Sequence, residues 1–121
     1  MIKLTFALVR RPEFTRESFQ AYWFDHHAPL VASVREVLRI RRYVQLHSLP
    51  AEISEPLRAS RGAPEGYDGV AQLWWDSLED MAATGSDPAA VAAGRRLLED
   101  ERKFIDLARS PLWWGEEKVI F

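Results

Sequence analysis

Gly69-Val70-Ala71-Gln72-Leu73-Trp74-Trp75-Asp76-Ser77-Leu78-Glu79-Asp80 holds a strand, its end and the start of a helix. Val70 to Trp75 is apolar and rich in strand-forming residues, with glycine before it and Asp76-Ser77 after it. Ser77 followed three residues later by Asp80 is a capping-box-like start, with Asp in place of the usual Glu or Gln. The helical pattern then continues to about Leu107 and breaks at Gly85-Ser86-Asp87-Pro88, where Asp87 as cap and Pro88 at the first helical position restart it. Ala92, Leu97, Leu98, Glu101, Phe104 and Ile105 form its expected inward stripe, and Lys118 to Phe121 closes the chain as a last strand, with a start near Trp113 as the alternative.

The N-terminal half follows the same order. Ile2, Leu4, Phe6 and Leu8 alternate with Lys3, Thr5, Ala7 and Val9, the period of a strand. Arg11-Pro12-Glu13 ends it, and Thr15 caps a helix with Glu17 in its first turn, where a carboxylate suits the helix dipole. Phe19, Tyr22, Trp23, His26 and Leu30 fall at helical spacing and predict its buried face. Pro29 lacks a backbone donor and disfavours helical angles at Ala28, so a kink or break is expected near His27. Leu38 to Leu49 is the second strand, with Ile40, Val44 and Leu46 on one face and Arg39, Arg41, Tyr43, Gln45 and His47 on the other. That polar face is either solvated or the wall of a cavity. Residues 50–68 hold no sustained period and are expected to be a long loop, functional or mobile.

Strand-helix-strand twice over predicts an α+β, ferredoxin-like βαββαβ domain: a four-stranded antiparallel sheet with helices on one face. At 121 residues the chain buries about two-thirds of its extended surface, enough for one core and one domain over 1–121. The second sheet face, carrying Ala7, Val9, Tyr43 and one of Trp74 and Trp75, is too apolar to stay wet. A face-to-face homodimer, closing two sheets into an α+β barrel, is the expected cover. A net charge of −2 removes the strongest reason to propose nucleic acid or an anionic membrane, and no apolar run is long enough to cross a membrane. Zero cysteines exclude disulfides and thiolate chemistry, and a cytoplasmic protein is expected.

Three blocks, in order, resemble the EthD family of the dimeric α+β barrel superfamily: Phe19-x-x-Tyr22-Trp23-x-x-x-His27-Ala28-Pro29-Leu30, then Asp68 to Asp80, then Asp100-Glu101-x-x-Phe104-Ile105-Asp106 followed by Glu116-Glu117. The resemblance implies a cavity between sheet and helices. It also implies a small cofactor-independent enzyme of dehydratase, isomerase or oxygenase type, acting on a hydrophobic cyclic or aromatic metabolite. A non-catalytic ligand-binding or accessory module is the rival reading, and haem binding through a histidine a third.

His27 matches the family histidine before Ala-Pro and is the first candidate for catalysis, because imidazole takes and returns protons near neutral pH. Its alternative role is to bond carbonyls freed by Pro29 and end the helix. His26, in the predicted stripe, is expected to be a packed core histidine, since adjacent helical residues point ~100° apart. Tyr43 and His47 are secondary acid-base or pocket-lining candidates; Trp75 and Trp23 are pocket-lining candidates. Trp74 and Trp75 point to opposite faces, one of them dimer core or pocket wall. Trp113 and Trp114 are expected at a hydrophobic edge or the dimer seam, and Glu117 at the cavity or in solvent. Arg35, Arg39, Arg41 and Arg42 are expected to be a solvated face, and Arg95-Arg96 with Glu99, Asp100 and Glu101 to form surface ion pairs. No matched histidine pair, glycine-rich phosphate loop or serine elbow occurs, so neither a metal nor a nucleotide cofactor is expected.

Overall fold

A computed structural model describes all 121 residues. β1 (Ile2–Leu8) leads into α1 (Arg16–Tyr22), a π-helical turn (Trp23–His27) and α2 (Ala28–Ser33). β2 (Arg42–His47), α3 (Ala51–Ser60), β3 (Gly69–Trp75), α4 (Leu78–Ala83), α5 (Pro88–Phe104) and β4 (Leu112–Glu116) follow. The sheet order is β2-β3-β1-β4, antiparallel throughout, which is the ferredoxin-like arrangement. No helix is long and apolar enough to cross a membrane.

The helix starts follow their sequence signals. Thr15 accepts from the Ser18 backbone N–H while the Ser18 hydroxyl accepts from Thr15 N–H, a reciprocal box. Ser77 accepts from Asp80 N–H, and Asp87 from Ala89 N–H with Pro88 next in the chain.

Register assigns the sheet faces. Leu4 opposes Leu73, which opposes Tyr43, and Leu4 also opposes Trp114. By alternation, Ile2, Leu4, Phe6, Leu8, Tyr43, Ala71, Leu73, Trp75, Leu112 and Trp114 face the helices. Lys3, Thr5, Ala7, Val44, Leu46, Val70, Gln72, Trp74 and Trp113 face outward. Tyr43 therefore belongs to the helix-covered face, not to the outer one with Ala7. The cause is the entry to β2: the strand starts at Arg42, after Arg39 takes a left-handed φ of 58°. Ile40, before that start, is buried with Val31 and Trp75, whereas Val44 and Leu46 turn outward.

Other expectations are revised. Residues 51–60 of the expected loop form α3, tolerating Pro56 inside it, with no buried residue. Its Ile53 and Leu57, one turn apart, are both exposed, so the helix shows no apolar stripe tied to the core. The last strand, Leu112–Glu116, begins next to Trp113, the earlier of the two expected starts, and ends before Lys118–Phe121, because β1 runs out of partners where Ile2 opposes Glu116. On α5 Leu97, Glu101 and Phe104 face inward and Ile105 at its end is buried, as expected; Ala90 and Ala93 complete the inward face in place of Ala92 and Leu98, which are exposed.

The main core joins Phe6, Leu8, Phe19, Trp23, Ala71, Phe104 and Ile105. Leu8, Phe19 and Phe104 are fully buried, each worth roughly 1.5–3 kcal/mol of transfer free energy. Trp23 sits so close to β3 that a Cβ at Gly69 would lie 2.4 Å from its indole, so only glycine fits there.

Candidate active site

The π-helical turn builds the site. Ala28 N–H bonds Trp23 C=O, five residues back, so one extra residue is accommodated before α2 begins. The wider turn carries the buried face through Phe19, Trp23, His27 and Val31, rather than through Tyr22, His26 and Leu30. His27 is 5% exposed; His26 is exposed and stacks on Tyr22 at 5.0 Å between ring centroids. His26 is thus not the packed core histidine that an unbroken helical period implies.

His27 Nδ1 lies 2.7 Å from Asp100 Oδ2, and Tyr22 donates its hydroxyl to Asp100 Oδ1 at 2.6 Å. Burial pushes the Asp100 carboxyl up, but the hydrogen bonds from Tyr22 and His27 and the charges of His27 and Lys103 bring it below the ordinary carboxylate range. An ionised carboxylate only accepts, so Nδ1 carries the proton and Nε2 keeps its lone pair. Burial pulls the His27 imidazole below its usual value, opposed by Asp100. Neutral imidazole is therefore the resting form near pH 7. On its other side, His27 Nε2 is 4.0 Å from Glu101 Oε2. Burial, with the neighbouring Asp100 charge, pushes the Glu101 carboxyl up to about 7.

Asp100 and Glu101 do not form the surface ion pairs expected of them. Their side chains are 12% and 20% exposed and turn to His27. The overlooked signal was Glu101 itself: a carboxylate within an apolar helical stripe is an anomaly that burial makes expensive.

Between the sheet and the helices lies a cavity of about 150 Å³. Fourteen of its sixteen lining residues are hydrophobic, among them Trp23, Trp75, Leu97 and Tyr43, and His27 and Glu101 also line it. A void of this size takes one six-membered ring. Trp75, not Trp74, is the cavity tryptophan. It donates its indole N–H to Leu38 C=O and meets Trp114 edge-on at 5.2 Å. Trp74 lies on the outer face between Lys3 and Arg42, at 4.8 and 4.7 Å from its ring, and bonds Glu117, which enters neither the cavity nor bulk solvent alone. Trp113 stays half-exposed on the outer face.

His47 is not brought to the cavity. It stacks on Trp23 at 4.6 Å between ring centroids, and its Nε2 is 2.7 Å from Gln45 Oε1. With Gln20, Phe24 and Gln45 it lines an open groove of about 560 Å³, and Tyr43 forms the wall between groove and cavity. The Tyr43 hydroxyl accepts from Gln45 Nε2 at 2.7 Å, and burial pushes its pKa up to about 12, so it keeps its proton. No group of three or more His, Asp or Glu side chains converges with the geometry of a metal site.

A model of the EthD domain matches residues 11–108. The chain belongs to the EthD domain family. It is 29% identical over 120 residues to the conidial pigment biosynthesis dehydratase EthD of Metarhizium robertsii, a match covering 95% of this chain and 81% of that protein. An EthD family protein from Bacillus halodurans superposes with a TM-score of 0.60 at 22% identity, covering 98% of this chain and all of the other. A dimeric ferredoxin-like protein from Bacteroides fragilis gives 0.58 at 13% identity, over 96% and 95% of the two chains. A cofactor-independent oxygenase from Streptomyces nogalater gives 0.54 at 11% identity, over 98% and 93%. These three structural likenesses bear on the fold alone: an α+β, ferredoxin-like EthD domain.

Proposed function

We propose that the EthD-domain cavity is the active site of a cofactor-independent enzyme that removes a proton from carbon on a small hydrophobic, cyclic or aromatic metabolite. The observation that carries this reading is the His27–Asp100 pair, buried and tautomer-fixed on the wall of an apolar cavity of one-ring size. His27 Nε2 is the base. Asp100 positions the imidazole and stabilises the imidazolium that forms. Tyr43 donates its hydroxyl to the substrate carbonyl, where negative charge develops. Trp23, Trp75 and Leu97 hold the ring and exclude water, which strengthens each of these interactions. Dehydration, isomerisation and oxygenation without a cofactor all pass through such a carbanion, so the reading spans the activities named for the Metarhizium relative and the Streptomyces neighbour.

Cyclohexanone in D₂O is the test. Wild-type protein is expected to exchange its α-protons, and H27Q to lose at least about 100-fold of that rate. Equal exchange by H27Q overturns the assignment. Saturable cyclohexanone binding without exchange in the wild type makes the domain a binding or accessory module instead.

We also propose that the outer sheet face closes on a second copy. Leu46 and Trp113 expose more than half of their surface there, and the Bacteroides neighbour is described as dimeric. Light scattering at micromolar concentration is expected to give twice 13.9 kDa; a monomer's mass refutes the dimer. A chain without cysteine suits the reducing cytoplasm, the compartment we propose.

A further inference from the structure

We infer that Glu101 is a second catalytic residue of the cavity, the acid that protonates a hydroxyl leaving from the carbon β to a ring carbonyl. The substrates are then cyclic β-hydroxy ketones and the reaction a dehydration; this rests on the base role of His27 proposed above.

Three observations carry it. Glu101 lines the same cavity as His27, and its Oε2 is 4.0 Å from Nε2, the nitrogen that Asp100 leaves unprotonated. No lysine or arginine pairs with it; its one titratable neighbour within 4.0 Å is the His27 ring, neutral at rest. Asp100, the preceding residue of α5, takes the other side of the same imidazole, and its second oxygen accepts from the Tyr22 hydroxyl and pairs with Lys103. One helix turn thus offers two carboxyls of opposite character: one ionised and bonded, the other unpaired in an apolar wall. A buried carboxyl held without a cation costs stability and favours its neutral form. Its raised pKa, about 7, agrees with a proton being present to donate.

The step balances within the cavity. His27 Nε2 takes the proton on the carbon between carbonyl and carbinol. The C–H electron pair passes to the carbonyl oxygen as an enolate held by the Tyr43 hydroxyl; as the carbonyl re-forms, that pair becomes the new C=C bond, the C–O bond breaks, and the departing oxygen takes the Glu101 proton and leaves as water. Imidazolium and carboxylate then face each other at the 4.0 Å separation, and return of the proton from Nε2 to Oε2 restores both groups. No oxidant, reductant or metal enters.

The test compares 3-hydroxycyclohexanone, whose leaving group needs a proton, with 3-chlorocyclohexanone, whose chloride does not; both yield cyclohexenone. Wild-type chain is expected to accelerate both eliminations over the uncatalysed rate. E101Q is expected to lose at least about 100-fold on the hydroxy ketone and at most about tenfold on the chloro ketone. H27Q is expected to lose at least about 100-fold on both. A structural role for Glu101 would depress both substrates alike, so equal losses overturn the inference, as does an unaffected E101Q. Wild-type elimination of the chloro ketone alone also overturns it while leaving His27 as base. Elimination of neither ketone removes the acid role too, and cyclohexanone exchange then decides separately whether His27 stands.

Discussion

The molecule has two hollows that share Tyr43 as a wall, and they differ in what surrounds their titratable groups. The outer groove is the larger, about 560 Å³ against about 150 Å³, and it is open. Its histidine, His47, meets a neutral amide and an indole face. In the cavity, His27 lies between one carboxylate held ionised and one carboxyl held near neutrality. Volume alone would favour the groove. The opposed pKa shifts favour the cavity, because acid-base chemistry needs groups whose environments separate their protonation states.

The largest expected effect that would break this contrast is at Asp100. In D100N the amide can donate to Nδ1 and leave the proton on Nε2, so α-exchange of cyclohexanone should fall by about 100-fold or more. Unchanged exchange would make the cavity pair no more special than the groove's.

Next in size is a stability effect. Glu101 keeps its proton up to about 7 when folded, against 4.5 for an unperturbed carboxyl. Its contribution to folding is therefore fully present below pH 4.5 and is lost as pH rises through 7. Gln stays neutral throughout. In urea titrations the stability of E101Q relative to wild type should rise by about 3 kcal/mol between pH 4 and pH 8. A difference independent of pH would show that Glu101 titrates like a surface carboxylate.

Smallest is the groove. H47Q loses a stacking contact and should cost about 1 kcal/mol of stability, with cyclohexanone exchange within twofold of wild type. A large loss of exchange would move the chemistry toward the groove.

Much of the architecture was legible in the sequence because it rests on local signals: the period-two run at Ile2–Leu8, the caps at Thr15, Ser77 and Asp87, and the restart at Pro88. His27 was legible through its resemblance to a family motif. Its environment was not, because a helical period of 3.6 places His26 inward, and the π-helical turn that selects His27 leaves no clear periodic mark. Asp100 looked like a surface charge beside Arg95 and Arg96, and Glu101 fell both in the inward stripe and among those surface charges; only the packing of α5, some 73 residues from His27, makes them its neighbours. Tyr43 changed sides for a similar reason, since the phase of β2 is set by a left-handed residue at Arg39 rather than by alternation through Ile40.

Nitrogen NMR of the His27 ring, followed against pH in ¹⁵N-histidine-labelled protein, tests the central claim most directly. The account predicts a neutral imidazole at pH 7 with its proton on Nδ1 and a midpoint below the ordinary 6.5. A proton on Nε2, or a midpoint at or above 6.5, would contradict it: the lone pair would not face the cavity, and His27 would not be its resting base.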